Sequence, residues 1–341
     1  MKMISNDLRS SCRSLLLGAY QEGGGTPTEK KWEYPAEWLP LPEVGVNEVA
    51  ALVFVRAGGN LSVDVDGDDP ESVDWGDPNG EEAEVIYRHR YSYERGTPVT
   101  DNISMFVLKA HYSQGGGFRD LYLGNTACGF FAAVAVDGSA IKTGSRCILY
   151  NQTSYLQYIK ITGDIANFEN RQNFIFNLSA LKRVDMENPP TMLPNNTFNG
   201  SCCLRSVDMP DLSRVTNIGD RCFQNCWSIT DVDFPLAVSA GDGCFMSCYS
   251  LKTVNMPMLK SAGGGFLQYC SNIVSIELPM LETIGSAAFN SCYSLETVDM
   301  EALTAITNNN IGSQCYSLRK VNMPNIDLSQ SNIFPQSYLI K

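Results

Sequence analysis

The sequence has little of what enzymes and nucleic-acid-binding proteins usually depend on. Its 341 residues include two histidines, His89 and His111, and only 18% are charged, with Lys+Arg 25 against Asp+Glu 37. An acidic chain of net charge -12 repels phosphate backbones and anionic lipid, so nucleic acid and membrane surfaces are poor partners. Motifs such as G-x-S-x-G, H-E-x-x-H and the P-loop are missing, so we predict no catalytic residues and no enzyme.

Long apolar runs are missing too. No run approaches the roughly 20 residues that span a bilayer. The apolar residues 15–19 are shorter than the core of about 7–15 residues in a secretory signal, so we expect no cleaved signal. The 12 cysteines are then expected to be made reduced, and their number does not predict a disulfide framework.

Residues 1–45 differ in composition from the rest and predict an extended docking arm. Prolines at positions 35, 40 and 42 exclude a helix there and favour extended backbone. The arm is too apolar for a free linker, so we expect it to dock, either on the rest of the chain or on another subunit. The side chains expected to dock are Trp32, Tyr34, Trp38 and Leu39.

Residues 46–115 predict a small all-β domain. Residues 49–55 form a continuous apolar strand, and residues 61–65 alternate between apolar and polar side chains. The acidic run over residues 64–84 has the oxygen density of a Ca²⁺ site but neither the spacing nor the closing Glu of an EF-hand loop. We therefore expect no cofactor, and Ca²⁺ at these acidic loops is the alternative.

A motif in this domain carries a family resemblance. V-D-W-G-D at residues 73–77, followed by H-x-Y at residues 89–91, resembles a PKD-type immunoglobulin-like β-sandwich. The resemblance implies that Trp75 fills the core between two sheets and that Gly76 and Asp77 form a turn. Pro78 stands where that family has a glycine. Together with the W-x-x-P-x-x-W-L-P-L-P arm from Trp32 to Pro42, the domain resembles structural proteins of tailed bacteriophages.

Residues 116–341 contain an internal repeat of 22 to 25 residues. One coil of this kind buries almost no apolar surface, so the repeat predicts a stacked solenoid with a parallel sheet. We expect eight or nine coils, each with one V-x-M strand that ends at a proline, and a capping tail after Ile326. A looser copy begins at Leu156, and Phe118–Leu123 is a candidate degenerate first coil. The clear copies begin at Leu181, Leu204, Ile229, Leu251, Ile273, Leu295 and Leu318.

The recurring F-x-x-C signature of this repeat resembles the BspA-type leucine-rich repeat. The predicted fold class is therefore mainly β: an extended N-terminal arm, a small immunoglobulin-like sandwich and a leucine-rich-repeat-like solenoid.

Equivalent positions of the repeat should form columns. The first column is a cysteine ladder, which we interpret as buried thiols, with a C-x3-C zinc site as the alternative; no metal site is predicted. Its members are Cys226, Cys248, Cys270, Cys292 and Cys315, with Cys222 and Cys244 four residues before the first two.

Two further columns are candidate ligand- or partner-binding surfaces. The aromatic row follows the ladder cysteines and suits stacking on sugar rings or on a partner, with packing between coils as the alternative. It comprises Trp227, Tyr249, Tyr293 and Tyr316, with Ser271 in the middle coil.

The acidic column lies between the Val and Met of each strand, and its side chains should point away from the core. They are either solvated or neutralised by a cation, a basic ligand or neighbouring Lys and Arg. Its carboxylates include Asp208, Asp233, Glu277 and Asp299, and Asn255 and Asn322 occupy the same position.

These patterns favour a non-enzymatic bacteriophage virion protein, a tail or head fibre or a decoration protein assembled in the host cytoplasm. Its arm would dock on other virion proteins, and its solenoid would present a surface to a host glycan or protein. Neither nucleic acid nor membrane is an expected partner, and a homo-oligomer is left open. The alternative is a bacterial cell-surface adhesin of the BspA type.

Overall fold

A computed structural model describes residues 31–57, 60–67, 70–77, 88–100, 103–113, 118–123, 129–138, 141, 155–165, 173–307, 310–329 and 333–335. These ranges consist of strands and turns, with only short 3-10 helices, which confirms a mainly β fold. Within them, no helix is both long enough and apolar enough to cross a membrane.

Ten strands and one 3-10 helix (Tyr93–Arg95) make up the N-terminal unit and its junction with the repeats. The strands are β1 (Glu48–Arg56), β2 (Asn60–Gly67), β3 (Ser72–Asp74), β4 (Arg88–Ser92), β5 (Thr97–Thr100), β6 (Ile103–His111), β7 (Phe118–Leu123), β8 (Gly129–Asp137), β9 (Tyr158–Thr162) and β10 (Arg183–Met186).

A seven-stranded sheet joins the N-terminal unit to the first repeats. β1 pairs antiparallel with β6 and β8, while β3 and β5 pair antiparallel with β6. β8 then pairs parallel with β9, and β9 pairs parallel with β10. Because β9 and β10 belong to the repeats that begin at Leu156 and Leu181, the N-terminal sheet continues directly into the solenoid.

The second sheet of the N-terminal unit has three strands in the order β4-β2-β7. The interpretation of Phe118–Leu123 as a degenerate first coil is wrong, because this strand, β7, pairs antiparallel with β2. A solenoid coil would pair in parallel with the next coil. Strand pairing therefore crosses residue 115, where the sequence placed a domain boundary.

The two sheets meet around the V-D-W-G-D segment. Trp75 is buried and stacks on His89 at 5.3 Å between ring centroids, and the Tyr91 hydroxyl donates to the Trp75 carbonyl oxygen at 2.7 Å. The fully buried Asp77 carboxylate lies 3.2 Å from His89 Nε2 and 3.3 Å from Arg95 Nε. His89 thus packs in the core of this unit. Gly76 has a φ of 65°, and a Cβ atom there would lie 2.1 Å from the Val107 carbonyl oxygen.

Most solenoid coils contain two short strands, not the one predicted. The strands are β11 (Met192–Leu193), β12 (Asn217–Ile218), β13 (Asp231–Asp233), β14 (Ser239–Ala240), β15 (Thr253–Asn255), β16 (Ser261–Ala262), β17 (Ser275–Glu277), β18 (Thr283–Ile284), β19 (Thr297–Asp299), β20 (Ala305–Ile306) and β21 (Lys320–Asn322).

The unpredicted strands form one continuous parallel sheet, β11-β12-β14-β16-β18-β20, at a position where several copies read x-Ile-Gly, as in Asn217-Ile218-Gly219 and Thr283-Ile284-Gly285. The predicted V-x-M strands form shorter parallel sheets, β13-β15 and β17-β19-β21. In the copy that begins at Leu204, a 3-10 helix, Ser206–Asp208, replaces the predicted strand.

Stacked aromatic rings fill the solenoid core. Phe198, Phe223 and Phe245 are fully buried and lie 5.2 Å apart from ring to ring, close to the spacing of neighbouring strands. At the C-terminal end, Phe334 is buried against Gly312, and the Ile333 carbonyl oxygen accepts from the Ile311 N–H at 3.1 Å. The clear copies make about seven turns, and the prediction of eight or nine coils also counted the looser copy at Leu156 and the segment Phe118–Leu123.

A ladder of side-chain hydrogen bonds links successive coils at the exposed corner after each x-Ile-Gly strand. The side-chain oxygen Oδ1 of each residue accepts a hydrogen bond from the backbone N–H of the equivalent residue in the next coil. Asn195 accepts from Asp220 at 2.8 Å, Asp220 accepts from Asp242 at 2.9 Å, and Asp242 accepts from Gly264 at 2.7 Å. The ladder ends at Gly264 because glycine has no acceptor to offer Ser286 in the next coil.

We expect Gly264→Asn to extend this ladder and to raise the free energy of unfolding by about 0.5–1 kcal/mol. Asp220 and Asp242 already place a Cβ atom at the equivalent position, and the nearest atom to a new Cβ is the Ser286 carbonyl oxygen at 3.3 Å. Urea denaturation measures the change. Gly263→Asn is the control and should destabilise, because its Cβ would lie 2.5 Å from the Asp242 backbone nitrogen. A loss of stability in Gly264→Asn would mean that crowding by Ser286 outweighs the new hydrogen bond.

Candidate functional site

The cysteine ladder is buried, as predicted. Of the nine cysteines that the structure describes, only Cys202 is not fully buried. Each ladder thiol donates to a backbone carbonyl oxygen of the preceding coil, such as Cys248 to Phe223 at 3.1 Å and Cys292 to Leu267 at 3.2 Å. In the described ranges, no group of three or more His, Cys, Asp or Glu side chains is arranged to hold a metal ion.

Burial also sets the chemistry of these thiols. It raises the pKa of Cys222 and of Cys315 to about 12, and it raises the pKa of the other shifted thiols well above the usual value. The others are Cys226, Cys244, Cys270 and Cys292. At neutral pH these groups are protonated, so they serve as small apolar packing groups and not as nucleophiles.

The aromatic row lies at the turn between the cysteine ladder and the next coil. Trp227 and Tyr249 are half-buried, whereas Tyr293 and Tyr316 are each 45% exposed. The row divides into two pairs: the Trp227 and Tyr249 ring centroids are 6.2 Å apart, and the Tyr293 and Tyr316 rings stack at 6.0 Å with 9° between their planes. Packing between coils and an exposed aromatic surface, the two predicted alternatives, therefore coexist.

Tyr269 is an exposed aromatic residue near the row that sequence reasoning missed. It lies two residues before Ser271, in the coil that lacks a row aromatic, and it is 41% exposed. Its backbone has a φ of 65°, a left-handed conformation that costs a bulky residue free energy. Asn225, Ser247 and Ser291 occupy the equivalent left-handed position in other coils. An aromatic residue displaced from the expected column was the available signal.

A polar column follows the aromatic row. Every member is partly exposed, and none has a side-chain hydrogen bond to another described residue. The members are Ser228, Ser250, Asn272, Ser294 and Ser317. The corner of the solenoid therefore carries aromatic rings beside free hydroxyl and amide groups.

From Asp233 onward, the acidic column is balanced by amides, whereas Asp208 in an earlier coil pairs with Arg205. Asp233 is exposed and accepts from the Asn255 side-chain amide at 2.6 Å, and Asp299 accepts from the Asn322 amide at 3.0 Å. Glu277 is exposed in the coil between these pairs. Each amide compensates the carboxylate of the coil before it, which lowers the repulsion at Asp233 and Asp299, whereas Glu277 and Asp299 lie opposite each other in the paired strands β17 and β19.

Asp208 departs from the predicted column, and the prediction that its side chain points away from the core is wrong. The carboxylate is fully buried, accepts from the Trp32 backbone N–H at 2.6 Å and pairs with Arg205 Nη2 at 2.6 Å. The arm covers this coil, and a 3-10 helix replaces its strand. Asp208 is therefore an anchor for the arm and not a surface ligand group.

The described part of the arm, residues 31–45, docks on its own chain, which is one of the two alternatives that the sequence left open. Trp32, Tyr34 and Trp38 form an edge-to-face cluster, and the Trp38 ring lies 5.3 Å from the Phe54 ring of β1. Leu39 packs on the same apolar face of the sheet. All four predicted docking side chains are half-buried in this way.

Short strands that stack in parallel from coil to coil around buried Phe and Cys ladders define a leucine-rich-repeat solenoid. A family model for the BspA type leucine rich repeat region matches residues 144–240 and 216–341, with six copies. These matches cover more than half of the chain, and the chain belongs to this family.

Three solved leucine-rich-repeat structures resemble the chain. The Treponema pallidum protein TpLRR is 20% identical over 55% of this chain and 83% of its own, with a TM-score of 0.37. A leucine rich cell surface protein from Faecalibacterium prausnitzii is 16% identical over 57% and 72%, with a TM-score of 0.33. A Bacteroides ovatus protein is 14% identical over 67% and 96%, with a TM-score of 0.30. A search of curated proteins finds no match.

Proposed function

We propose that this chain is a non-enzymatic recognition protein whose solenoid presents the aromatic row to a ligand. The observation that carries the proposal is the row itself: exposed Tyr293 and Tyr316 rings on a rigid, regularly spaced scaffold. Tyr and Trp supply large contact area at low entropic cost and dominate binding energy at interfaces. Membership of a leucine-rich-repeat family supports recognition or adhesion in preference to catalysis.

Within this class, we propose a bacteriophage virion protein, a fibre or decoration located on the particle. The proposal rests on the resemblance of the arm and the V-D-W-G-D segment to PKD-like phage structural proteins. Trp32, Tyr34, Trp38 and Leu39 are half-buried on their own sheet. Their exposed parts, with the sheet beneath, would form the surface that contacts other virion proteins. A homo-oligomer is compatible with this arrangement.

The second candidate is a bacterial cell-surface adhesin. The family match over residues 144–240 and 216–341 favours it, because BspA-type repeats also serve in adhesion. The two candidates share the recognition surface and differ in where the chain is displayed.

Immunogold electron microscopy with an antibody to this chain separates them. We expect gold at one defined place on purified phage particles, because the arm would fix the chain there. Particles purified from a phage that lacks the gene provide the control. Gold on bacterial envelopes alone would overturn the virion proposal in favour of the adhesin.

A further inference from the structure

We propose that the aromatic row, together with Tyr269 and the neighbouring polar column, binds an uncharged polysaccharide chain laid along the solenoid axis. This inference rests on the proposed recognition function and specifies its ligand. The geometry that carries it is a repeated unit, an aromatic ring beside a hydroxyl or amide group, displayed once per coil over five coils.

The periodicity of the surface points to a periodic ligand. Neighbouring coils are about 4.8 Å apart, so five coils present their rings over roughly 20 Å. A folded protein epitope has no such translational repeat, whereas a polysaccharide presents the same ring faces and hydroxyl groups at each unit. Aromatic faces can stack on the apolar faces of sugar rings, and the free Ser and Asn side chains can bond to sugar hydroxyls.

The charges beside the row favour an uncharged ligand. The nearest charged positions, three residues after the row, are Lys252, Glu296 and Arg319. Arg319 Nη2 lies 3.8 Å from the Glu296 carboxylate, so these two charges compensate each other. A surface for an anionic polymer would need a run of uncompensated cations, which this corner lacks.

Tyr269 supplies a second, independent observation. A left-handed φ of 65° is unfavourable for tyrosine, and a side chain that is 41% exposed gains little from burial in return. Asn225, Ser247 and Ser291 share this conformation, so the turn of the repeat imposes it, and tyrosine occupies the position in this coil at a conformational cost. Tyr269 provides an aromatic group in the one coil where Ser271 interrupts the row.

The test is affinity electrophoresis in native gels that contain dextran, galactomannan, arabinoxylan or laminarin, each a soluble uncharged polysaccharide. We expect at least one of them to retard the wild-type chain, and Tyr293→Ala to weaken that binding about tenfold, as removal of a central aromatic contact does. Tyr293→Ala combined with Tyr316→Ala should abolish retardation while the melting temperature stays nearly unchanged, because both side chains are 45% exposed.

Tyr269→Gly is the sharpest variant. Glycine adopts the left-handed conformation without strain, so its melting temperature should equal or exceed that of the wild type, whereas polysaccharide binding should fall. Met258→Ala is the matched control, because Met258 is 46% exposed but lies outside the row, at the turn after β15. Its retardation should equal that of the wild type.

Two results would overturn the proposal: no retardation by any of the four polysaccharides, or equal retardation of the wild type and all row variants. If the chain then still binds intact bacteria, recognition stands and its ligand is a protein. If it binds neither polysaccharide nor cells, the proposed function fails together with this inference.

Discussion

Raising the pH from 8 to 10 is expected to lower the free energy of unfolding by about 3 kcal/mol through Cys222 and Cys315 alone. Burial raises the pKa of each thiol to about 12 in the folded chain, whereas in the unfolded chain it returns to a value near 9. Above pH 9 the unfolded chain therefore loses protons that the folded chain retains. The stabilisation is complete below pH 9 and is lost progressively as the pH rises from 9 to 12, with somewhat more than about 1 kcal/mol lost for each thiol by pH 10.

Urea denaturation under a phosphine reductant, at pH 8 and at pH 10, measures this loss. Cys222→Ala should lose about 1 kcal/mol less than the wild type between the two pH values, because one of the titrating thiols is gone. Cys202→Ala is the control, since Cys202 is only partly buried, and it should keep the wild-type pH dependence. Equal losses in all three proteins would assign the effect to tyrosine and lysine side chains and not to the thiols.

The thiols could be predicted from the sequence because their environment repeats. Cys226, Cys248 and Cys270 recur at one position of the repeat, and stacking equivalent positions makes a buried column without any further information. The Phe column and the parallel strands follow from the same periodicity, which is why the solenoid and its family resemblance were accessible at the sequence level.

The second strand of each coil was not predicted, for a physical reason. Strands such as Asn217–Ile218 and Ser239–Ala240 have two residues, too few for an alternating pattern to be recognised. They are strands only because the neighbouring coil offers backbone partners in register, as in the pairing of Ile218 with Ala240. Stacking creates these hydrogen bonds, so local sequence does not encode them.

Strand pairing at the junction depended on similarly non-local information. The sequence of β7 suits a strand of the N-terminal unit and a strand of a first solenoid coil equally well. Only its pairing with β2 shows that it belongs to the N-terminal unit. The exposed tyrosines of the candidate site were visible as a column. Tyr269 was not, because backbone conformation at a single position has no sequence signature outside Gly and Asn.

Asp208→Ala is expected to lower the free energy of unfolding by about 3 kcal/mol, although an acidic residue at this repeat position looked like a surface group. The substitution removes the acceptor of the Trp32 N–H and leaves Arg205 without its buried partner. Breaking a buried pair from one side costs about 3–5 kcal/mol, and the 35% exposure of the Arg205 side chain places this case at the lower end of that range.

Asp233→Ala provides a matched control, because Asp233 occupies the same repeat position but is exposed. Its effect should stay within about 0.5 kcal/mol. Asp208→Asn, which keeps an oxygen for the Trp32 N–H, should fall between the two. Urea denaturation followed by circular dichroism gives all three values.

The same variants test whether Asp208 holds the arm in place. The Trp32 backbone is bonded on both sides, by Asp208 at its N–H and by Arg183 Nη1 at its carbonyl oxygen at 3.0 Å. Loss of the first bond should expose the peptide after Lys31, so trypsin should cleave there faster in Asp208→Ala than in Asp233→Ala. Faster cleavage without a loss of global stability would mean that the arm opens as a separate unit.

Unchanged cleavage with unchanged stability would mean that the aromatic cluster of Trp32, Tyr34 and Trp38 holds the arm by itself. In that case the buried carboxylate would add no net stability, because its desolvation would cancel its hydrogen bonds.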